Sequence, residues 1–492
     1  MVLGSGIAFL EATVVNVAVP EIGRDLGATT GDLQWILNGY LLTLSAFILL
    51  GGSLGDRMGR RFIFNVGIVW FTLASALCAL APSSEFLIAA RVLQGVGGAL
   101  LTPGSLAIIE ATFYPEDRAR AIGAWSGLGG VAAAIGPLLG GYLVDAVSWR
   151  WIFLINLPLG AFVVFMSNRH VPETRDPTAT GKLDISGAVL AATGLAAATF
   201  SLISASEGRS AATVAVTATL GALLLIAFVI TERRSANPMM PLSIFESKQF
   251  TAANLVTFCV YAALSGVFFL LVAFLQITMG YSAIAAGSAA LPVTAILLFF
   301  SSRAGALATR IGPKLPLTIG PIGIAAGMLM MVRIDPGDSY LSTVFPAVMV
   351  YGAGLALVVA PVTATVLAAA DDRHAGVASG INNAVARVAG LIAVAVLPLI
   401  AGLSGEAFYS PEAMDDGFKI AMVVTACLSL LGGLIAFLMI DSEVLEEDEG
   451  EDDCSRAATD RNCGVAGTPL RPGRHVGDEA AAEPVGLSEP NR

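Results

Sequence analysis

The ten residues Gly52-Ser-Leu-Gly-Asp-Arg-Met-Gly-Arg-Arg61 recur in altered form, 253 positions later, as Gly305-Ala-Leu-Ala-Thr-Arg-Ile-Gly-Pro-Lys314. Both stretches keep a Gly, a Leu, an Arg, a second Gly and a terminal cation, and both lie in a polar gap between two long apolar runs. The acidic Asp56 of the first copy is replaced by Thr309 in the second. A basic, glycine-rich turn at equivalent places in two halves indicates internal duplication, which is common in membrane transporters.

The composition of the chain is that of a membrane protein. Of its 492 residues, 55% are hydrophobic and only 13% are charged, whereas a soluble protein carries about 25% charged residues. The apolar residues form blocks of about twenty rather than alternating segments of about ten, which excludes a transmembrane barrel. The sequence therefore predicts an all-α polytopic membrane protein.

The net charge of −11 is concentrated at the C-terminus. Residues 441–492 contain 14 acidic and 5 basic residues, a net of −9, and the remaining 440 residues contain 24 acidic and 22 basic, a net of −2. We interpret this segment as an acidic, disordered tail, separate from the membrane body.

Cysteine and histidine are too sparse and scattered to suggest a metal site. Three of the five cysteines lie in apolar runs, where they act as small hydrophobic residues, and the other two lie in the tail without ligand-like spacing. The three histidines lie outside the apolar runs. We expect no metal.

Fourteen apolar runs are long enough to cross a bilayer as helices. The first is interpreted as a membrane span and not as a cleaved signal peptide, because it has no basic segment before it. The predicted spans are 2–20, 34–54, 62–81, 86–108, 120–144, 149–168, 183–204, 211–231, 251–277, 284–303, 315–333, 342–366, 376–403 and 418–440.

The orientation of the spans follows from the loop cations. If the N-terminus is cytoplasmic, cytoplasmic loops hold fifteen Lys and Arg residues and the opposite loops hold five. Basic residues accumulate in cytoplasmic loops. We therefore expect a multi-pass protein of the cell membrane with both termini in the cytoplasm.

The positions of the repeated turn predict the domain organisation. The turn joins helices 2 and 3 and again helices 10 and 11, as it would in two six-helix bundles separated by an inserted helix pair. We predict an N-terminal bundle over 1–168, a linker with inserted helices 7 and 8 over 169–250, a C-terminal bundle over 251–440 and the tail over 441–492.

Two charged residues lie inside apolar runs of the first half. Glu11 lies near the middle of helix 1, where a carboxylate costs about 2.5–3.5 kcal/mol unless it faces a cavity or a partner. Arg91, in the stretch Arg91-Val-Leu-Gln94-Gly95, is a suitable partner. We predict a proton-coupling and substrate site at Glu11, Arg91 and Gln94. The simpler alternatives are that Glu11 lies near a helix end, and that Arg91 extends to the membrane surface.

Arg387 in helix 13 is the intramembrane cation of the second half. It is a possible second-half member of the site, although a purely structural role is an equally good interpretation.

Glycine-rich segments are predicted to control the conformational change. In helix 5, glycines spaced four apart allow close packing, and an internal Gly-Pro permits a bend. In the first turn, Asp56 is expected to cap helix 3 and to act as a latch. The alternatives are ordinary packing in helix 5 and a purely topological role for the basic turns. The predicted gating residues are Gly52, Asp56, Arg57, Gly59, Arg60, Gly136, Pro137, Gly140, Gly141, Gly305, Arg310 and Gly312.

Five stretches together resemble the major facilitator superfamily. Gly52–Arg61, the Arg91-x-x-Gln94-Gly95 stretch and Gly136-Pro137-x-x-Gly140-Gly141 are similar to its signature motifs, the third to the antiporter motif of its drug exporters. The segments Phe9–Pro20 and Trp149–Pro158 resemble those of its fourteen-helix drug:proton antiporter branch, although that branch usually has Asp where this chain has Glu11. The resemblance covers residues 1–440.

The resemblance implies the major facilitator fold and proton-coupled export of hydrophobic or cationic drugs by alternating access. It implies that Glu11 and Arg91 form the proton and substrate pair and that Asp56 belongs to a cytoplasmic latch. The expected partners are protons, a small amphipathic substrate and the lipid bilayer, with a monomer as the transport unit and no nucleic acid.

Other functions fit less well. No Gly-x-x-x-x-Gly-Lys-Ser/Thr stretch is present, so we expect no nucleotide-driven transport and no cofactor, with the proton gradient as the energy source. Proton-coupled uptake by the same fold is the main alternative. A membrane enzyme or a sensor is weaker, because clustered acid–base or metal-binding residues and a folded soluble domain are both lacking.

Overall fold

A computed structural model of the chain describes residues 2–112, 132, 135–175, 183–235, 238–370 and 375–445. The helices are numbered in chain order. They are α1 Val2–Leu26, α2 Thr30–Met58, α3 Arg60–Ala79, α4 Ser84–Thr112, α5 135–146, α6 Trp151–His170, α7 Ile185–Ser206, α8 Ala211–Arg234, α9 Lys248–Ile277, α10 Ala283–Ile311, α11 Lys314–Met331, α12 Tyr340–Ala368, α13 Ala375–Ile400 and α14 Pro411–Met439.

The predicted all-α polytopic fold is confirmed. Thirteen of the described helices are long and apolar enough to cross a membrane, and the residues that the structure describes include no β-strand. The one remaining predicted span, 120–144, lies largely outside the described residues. Its second part is described and forms α5. Thirteen of the fourteen predicted runs therefore correspond to membrane-length helices.

Glycines bring three helices of the first half into backbone contact. A Cβ atom at Gly51 of α2 would lie 2.2 Å from the carbonyl oxygen of Ala99 in α4, and one at Gly95 of α4 would lie 2.3 Å from the carbonyl oxygen of Tyr40. Gly67 of α3 approaches the α4 backbone equally closely. In a bilayer, where lipid is as apolar as a leucine side chain, such small residues are what lets helices associate.

The second half repeats this arrangement. Helices α10, α11 and α12 pack on one another as α2, α3 and α4 do. A Cβ atom at Gly327 of α11 would lie 2.5 Å from the backbone nitrogen of Tyr351 in α12, and one at Gly354 of α12 would lie 2.4 Å from that of Ile324. Duplication is therefore visible in the packing as well as in the repeated turn.

Helices α7 and α8 form the inserted pair. They pack on each other, and α7 also packs on α2 and on α13, so it touches both halves. Helix α8 has few buried residues and faces outwards. The predicted domain boundaries are compatible with this packing and remain predictions.

The two ends of the bundle have different structures. We call the end that carries the two repeated turns the motif end, and the opposite end the far end. The far end holds the α1–α2 connection, where Asp25 accepts hydrogen bonds from the indole of Trp149 (2.8 Å) and from Arg150 (2.6 Å) at the start of α6. These bonds tie the first and last helices of the N-terminal bundle together.

Adjacent glycines of α2 provide a test of this packing. Gly51→Ala should lower the free energy of unfolding of the purified protein by about 1–3 kcal/mol, because the new methyl group meets the α4 backbone. Gly52→Ala is the matched control, since its Cβ would lie 3.6 Å from the nearest atom, in Pro103. Both changes raise helix propensity equally. Equal unfolding temperatures for the two variants would contradict the proposed backbone contact.

Candidate functional site

The structure brings Glu11 of α1 and Arg91 of α4 into direct contact. The guanidinium Nη1 of Arg91 donates to a carboxylate oxygen of Glu11, and only 1% of Glu11 and 2% of Arg91 is exposed. Removing one partner of a buried ion pair costs about 3–5 kcal/mol, because the other charge is left uncompensated. The two charges therefore depend on each other.

Further contacts hold Arg91 inside the bundle. It donates to the side-chain oxygen of Gln94 (2.6 Å) and, through Nε, to the carbonyl oxygen of Ile36 (3.0 Å). Its guanidinium carbon lies 4.5 Å from the centre of the Tyr40 ring. Arg91 thus does not extend to the membrane surface, and the three predicted residues Glu11, Arg91 and Gln94 form one cluster.

Two neutral members of this cluster were missed by the sequence analysis. Asn156 of α6 donates to the second carboxylate oxygen of Glu11 (2.9 Å) and to the hydroxyl of Ser75 in α3 (2.9 Å). Ser75 also accepts a hydrogen bond from Gln94 (3.2 Å). The feature of the sequence that could have indicated this role is the proline two residues after Asn156, at position 158. Proline lacks the N–H that would bond back to residue 154, and α6 is interrupted just before Asn156.

Arg387 lies on α13 of the second half, on the other side of the interface from the Glu11–Arg91 pair. It is partly exposed and close enough to the hydroxyls of Tyr40 in α2 and Tyr261 in α9 to act on them electrostatically. Tyr40 is therefore within electrostatic range of both the Glu11–Arg91 pair and Arg387. The structure does not place Arg387 in the ion pair itself.

The first repeated turn is held by contacts within the N-terminal bundle. Asp56 pairs with Arg60 (2.9 Å), and Arg60 also donates to the carbonyl oxygen of Ala107 in α4 (3.2 Å). The expectation that Asp56 caps helix 3 is wrong. Glu173, in the segment after α6, instead accepts from the backbone N–H of Arg61 (3.0 Å), because its carboxylate reaches the start of α3 from outside the turn. The same carboxylate bonds to the next N–H, that of residue 62.

The conformation of Gly59 makes room for this carboxylate. Its φ of 120° is one that residues with a side chain rarely adopt. A Cβ atom there would lie 2.7 Å from the carboxyl carbon of Glu173. Arg57 lies two residues earlier, in the last turn of α2, and Gly52 packs loosely against α4.

The second turn keeps the backbone form of the first. Gly312 has a φ of 81°, and a Cβ there would meet the backbone of Ser442. Arg310 is exposed, and Thr309 bonds only to the carbonyl oxygen of Ala306 in its own helix among the described residues. Gly305 makes ordinary contact with Ala360 of α12. The second copy therefore has the turn without the Asp56–Arg60 ion pair.

The described glycines of α5 pack in two directions. A Cβ at Gly136 would lie 2.1 Å from the hydroxyl of Thr13, and one at Gly140 would lie 2.6 Å from the side chain of Val14, both in α1. Gly141 instead meets the backbone of Ile284 in α10, across the interface. Pro137 likewise contacts α10, since a Cβ at Gly287 would meet its carbonyl oxygen. Gly127, Gly129 and Gly130, which also belong to the predicted span 120–144, lie outside the described residues.

Hydrogen bonds join the two halves at the far end. Asp145 of α5 accepts from the backbone N–H groups of Ala283 (3.1 Å) and Ile284 (2.8 Å) at the start of α10. Three side chains add bonds from one half to a carbonyl oxygen of the other: Gln34 to Val394 (3.0 Å), Thr30 to Gly405 (2.9 Å) and Gln276 to Val17 (3.0 Å). The far end is therefore closed in this conformation. The sequence analysis did not identify Asp145.

Four other aromatic residues of the apolar runs, Trp35, Trp125, Phe258 and Tyr261, lie in different parts of the chain. Trp35 packs against Phe200 of α7, away from the ion pair, and Trp125 lies outside the described residues. Phe258 and Tyr261 lie on α9, partly buried. The described residues include no group of three or more His, Cys, Asp or Glu side chains placed to hold a metal.

Two glycine substitutions in the first repeated turn, four residues apart, test its backbone geometry. Gly59→Ala should destabilise the protein by about 1–3 kcal/mol, because a side chain is strained at this φ and displaces Glu173. Gly55→Ala is the control, since its Cβ would make ordinary contact with Arg60 at 3.8 Å. Thermal unfolding in detergent measures both. A wild-type unfolding temperature for Gly59→Ala would contradict the role given to Glu173.

Comparison with known proteins identifies relatives over most of the chain. The chain is 33% identical over 456 residues to the puromycin resistance protein of Streptomyces alboniger, covering 90% of each sequence. It is 34% identical over 409 residues to the tetracenomycin C resistance and export protein of Streptomyces glaucescens, covering 82% of this chain and 76% of that one.

Comparison of folds and of sequence families agrees with the helix packing. The crystal structure of a bacterial homologue of the human lysosomal transporter Spinster, in an inward-facing and unoccupied conformation, superposes with a TM-score of 0.64. The match covers 90% of this chain and 96% of that one at 18% identity, so it concerns the fold alone. Residues 1–394 match the Major Facilitator Superfamily. The chain therefore belongs to the Major Facilitator Superfamily of membrane transporters.

Proposed function

We propose that this protein exports amphipathic, antibiotic-like compounds across the cell membrane in exchange for protons. The named functions of its relatives, resistance to puromycin and resistance to and export of tetracenomycin C, support the substrate class. The buried Glu11–Arg91 pair supports proton coupling.

The ion pair is the observation that carries this proposal. Glu11 is the most buried acid among the described residues of the N-terminal bundle, and its two oxygens bond to Arg91 and Asn156. A carboxylate held this way can take up a proton when Arg91 moves towards another partner, and can release it when the pair forms again. One proton moving through 100 mV supplies about 2.3 kcal/mol, enough for roughly fiftyfold accumulation of a neutral substrate.

Alternating access requires two ends that open in turn. The loop cations favour a cytoplasmic motif end and an external far end, with both termini in the cytoplasm. The bonds made by Asp145, Gln34, Thr30 and Gln276 then form a closed external gate. In this role, Gly136, Pro137, Gly140 and Gly141 let α5 slide against α1 and α10.

The transport unit in this proposal is a monomer. It needs no cofactor, because the proton gradient drives export, and it binds no nucleic acid. The repeated turns stabilise the motif end of each bundle during the change, more firmly in the first half, where Asp56 and Arg60 pair.

Neutralising Glu11 should uncouple export from the proton gradient. In inverted vesicles with an imposed gradient, Glu11→Gln should lose gradient-driven uptake of amphipathic dyes, because no carboxylate remains to exchange the proton. Glu85→Gln, which removes an exposed acid at the start of α4, is the matched control and should transport normally.

A second variant separates uncoupling from misfolding. Glu11→Gln leaves Arg91 buried without a counter-charge, whereas Glu11→Gln with Arg91→Gln leaves the site neutral. The double variant should fold and bind dye but fail to concentrate it. Gradient-driven uptake at the wild-type level in the folded double variant would overturn the coupling role.

A methyl group at the far-end interface should open the external gate. Gly141→Ala places a Cβ about 2.4 Å from the Ile284 backbone and should disfavour closure. In a Thr30→Cys background, the rate of labelling by a membrane-impermeant maleimide added outside the cell should then rise about fivefold. This corresponds to a loss of roughly 1 kcal/mol in the free energy of closing the gate. Gly140→Ala, whose Cβ meets α1 of the same half and not α10, is the comparison and should raise the labelling rate less. Equal rates in both variants would contradict the assignment of the gate.

A further inference from the structure

Arg387 lies at the middle of α13, twelve residues from the start of the helix at Ala375 and thirteen from its end at Ile400. At a rise of 1.5 Å per residue it is about 18 Å from either end. This depth exceeds the reach of an arginine side chain, so Arg387 cannot place its charge at the membrane surface. A charge at this depth that is not paired faces a water-filled cavity or a ligand.

Arg387 has no ion pair or hydrogen bond with any residue that the structure describes. The other intramembrane arginine, Arg91, has a carboxylate, an amide and a carbonyl oxygen as partners. The described acids of the second half lie in the end loops or in the first two turns of α14, none of them on α9 to α13. Arg387 therefore carries a charge that no residue in the described part of the chain compensates.

The surroundings of Arg387 place it on the side of α13 that faces the first half. It acts electrostatically on Tyr40 of α2 and Tyr261 of α9. One turn further on, Gly390 lies against Ser265 of α9 and the side chain of Leu41 in α2. Asn383, one turn before Arg387, is exposed and donates to the backbone of Ser379. Asn383 and Arg387 thus form a polar strip on α13, accessible between the halves.

The charges around this strip sum to a positive value. Glu11 and Arg91 neutralise each other, and the tyrosines are uncharged, so Arg387 contributes a net charge of about +1 to the part of the interface that the structure describes. In a low-dielectric cavity such a charge attracts an anion far more strongly than it would in water. It repels a cation to the same degree.

We propose that Arg387 binds an ionised acidic group of the exported compound, such as a carboxylate or an acidic phenol. The planar guanidinium donates to an oxyanion through paired N–H groups, and Tyr261 and Asn383 offer further polar contacts beside it. The apolar remainder of the compound lies against α9. This inference rests on the proposed function and specifies the charge of its substrates, in favour of acids over the cationic compounds that the family resemblance suggests.

Two dyes of the same rhodamine core but opposite net charge test the inference. Sulforhodamine B is an anion and rhodamine 6G a cation, and neither titrates near neutral pH. Equilibrium binding to the purified full chain in detergent is measured by fluorescence polarisation. Arg387→Gln should weaken sulforhodamine B binding about ten- to hundredfold, the range for one lost hydrogen bond to a charged group, and should leave rhodamine 6G unchanged or tighter.

Two further variants distinguish recognition from structure. Arg387→Lys keeps the charge and should restore part of the sulforhodamine B affinity, while Arg303→Gln removes an exposed arginine of α10 and should change neither dye. Unchanged sulforhodamine B binding by Arg387→Gln, or an equal loss for both dyes, would overturn the inference. Because binding is measured without a gradient, failure of export in vesicles would refute the proposed function and leave this result standing.

Discussion

A buried salt bridge between two helices is the constraint on which the site depends. Glu11 and Arg91 each lie in an apolar segment where a single charge is costly, and each is tolerated because the other is in contact. Their remaining hydrogen-bonding groups are bonded by Gln94, on the same helix as Arg91, and by Ile36 and Asn156 on two further helices, α2 and α6. Any movement that separates the pair must provide new partners for both charges. A proton for Glu11 is the simplest of these, which connects helix movement to proton binding.

The duplication of the chain is symmetric in its packing but not in its charges. Close glycine contacts recur between α3 and α4 and between α11 and α12, and both repeated turns use a glycine with a positive φ. The ion pair at Asp56 and the buried carboxylate Glu11 belong to the first half alone among the described residues. The second half contributes an unpaired cation, Arg387, instead. In this account proton exchange belongs to one half and recognition of the substrate's charge to the other, and Tyr40 is within electrostatic range of both.

Much of the fold and part of the site could be predicted from the sequence. Apolar runs predicted the helices because a span must satisfy its own backbone hydrogen bonds. Glu11 and Arg91 were identifiable because isolated charges stand out in such runs. Asn156 and Ser75 were missed because neutral polar residues are frequent in membrane helices and do not signal a role by themselves. Glu173 and Asp145 were missed because each acts on a helix distant in the sequence, at residue 61 and at residue 283. The wrong expectation for Asp56 has the same origin, since local spacing suggests a cap that a distant carboxylate supplies.

The number of protons released when a substrate binds tests the central claim most directly. The purified protein in weakly buffered detergent solution is mixed with a dye that does not titrate, and the pH change is recorded. If Glu11 carries the exchanged proton, the wild type releases protons as dye binds, and Glu11→Gln combined with Arg91→Gln binds dye without releasing any. Equal proton release by the two proteins would contradict the account.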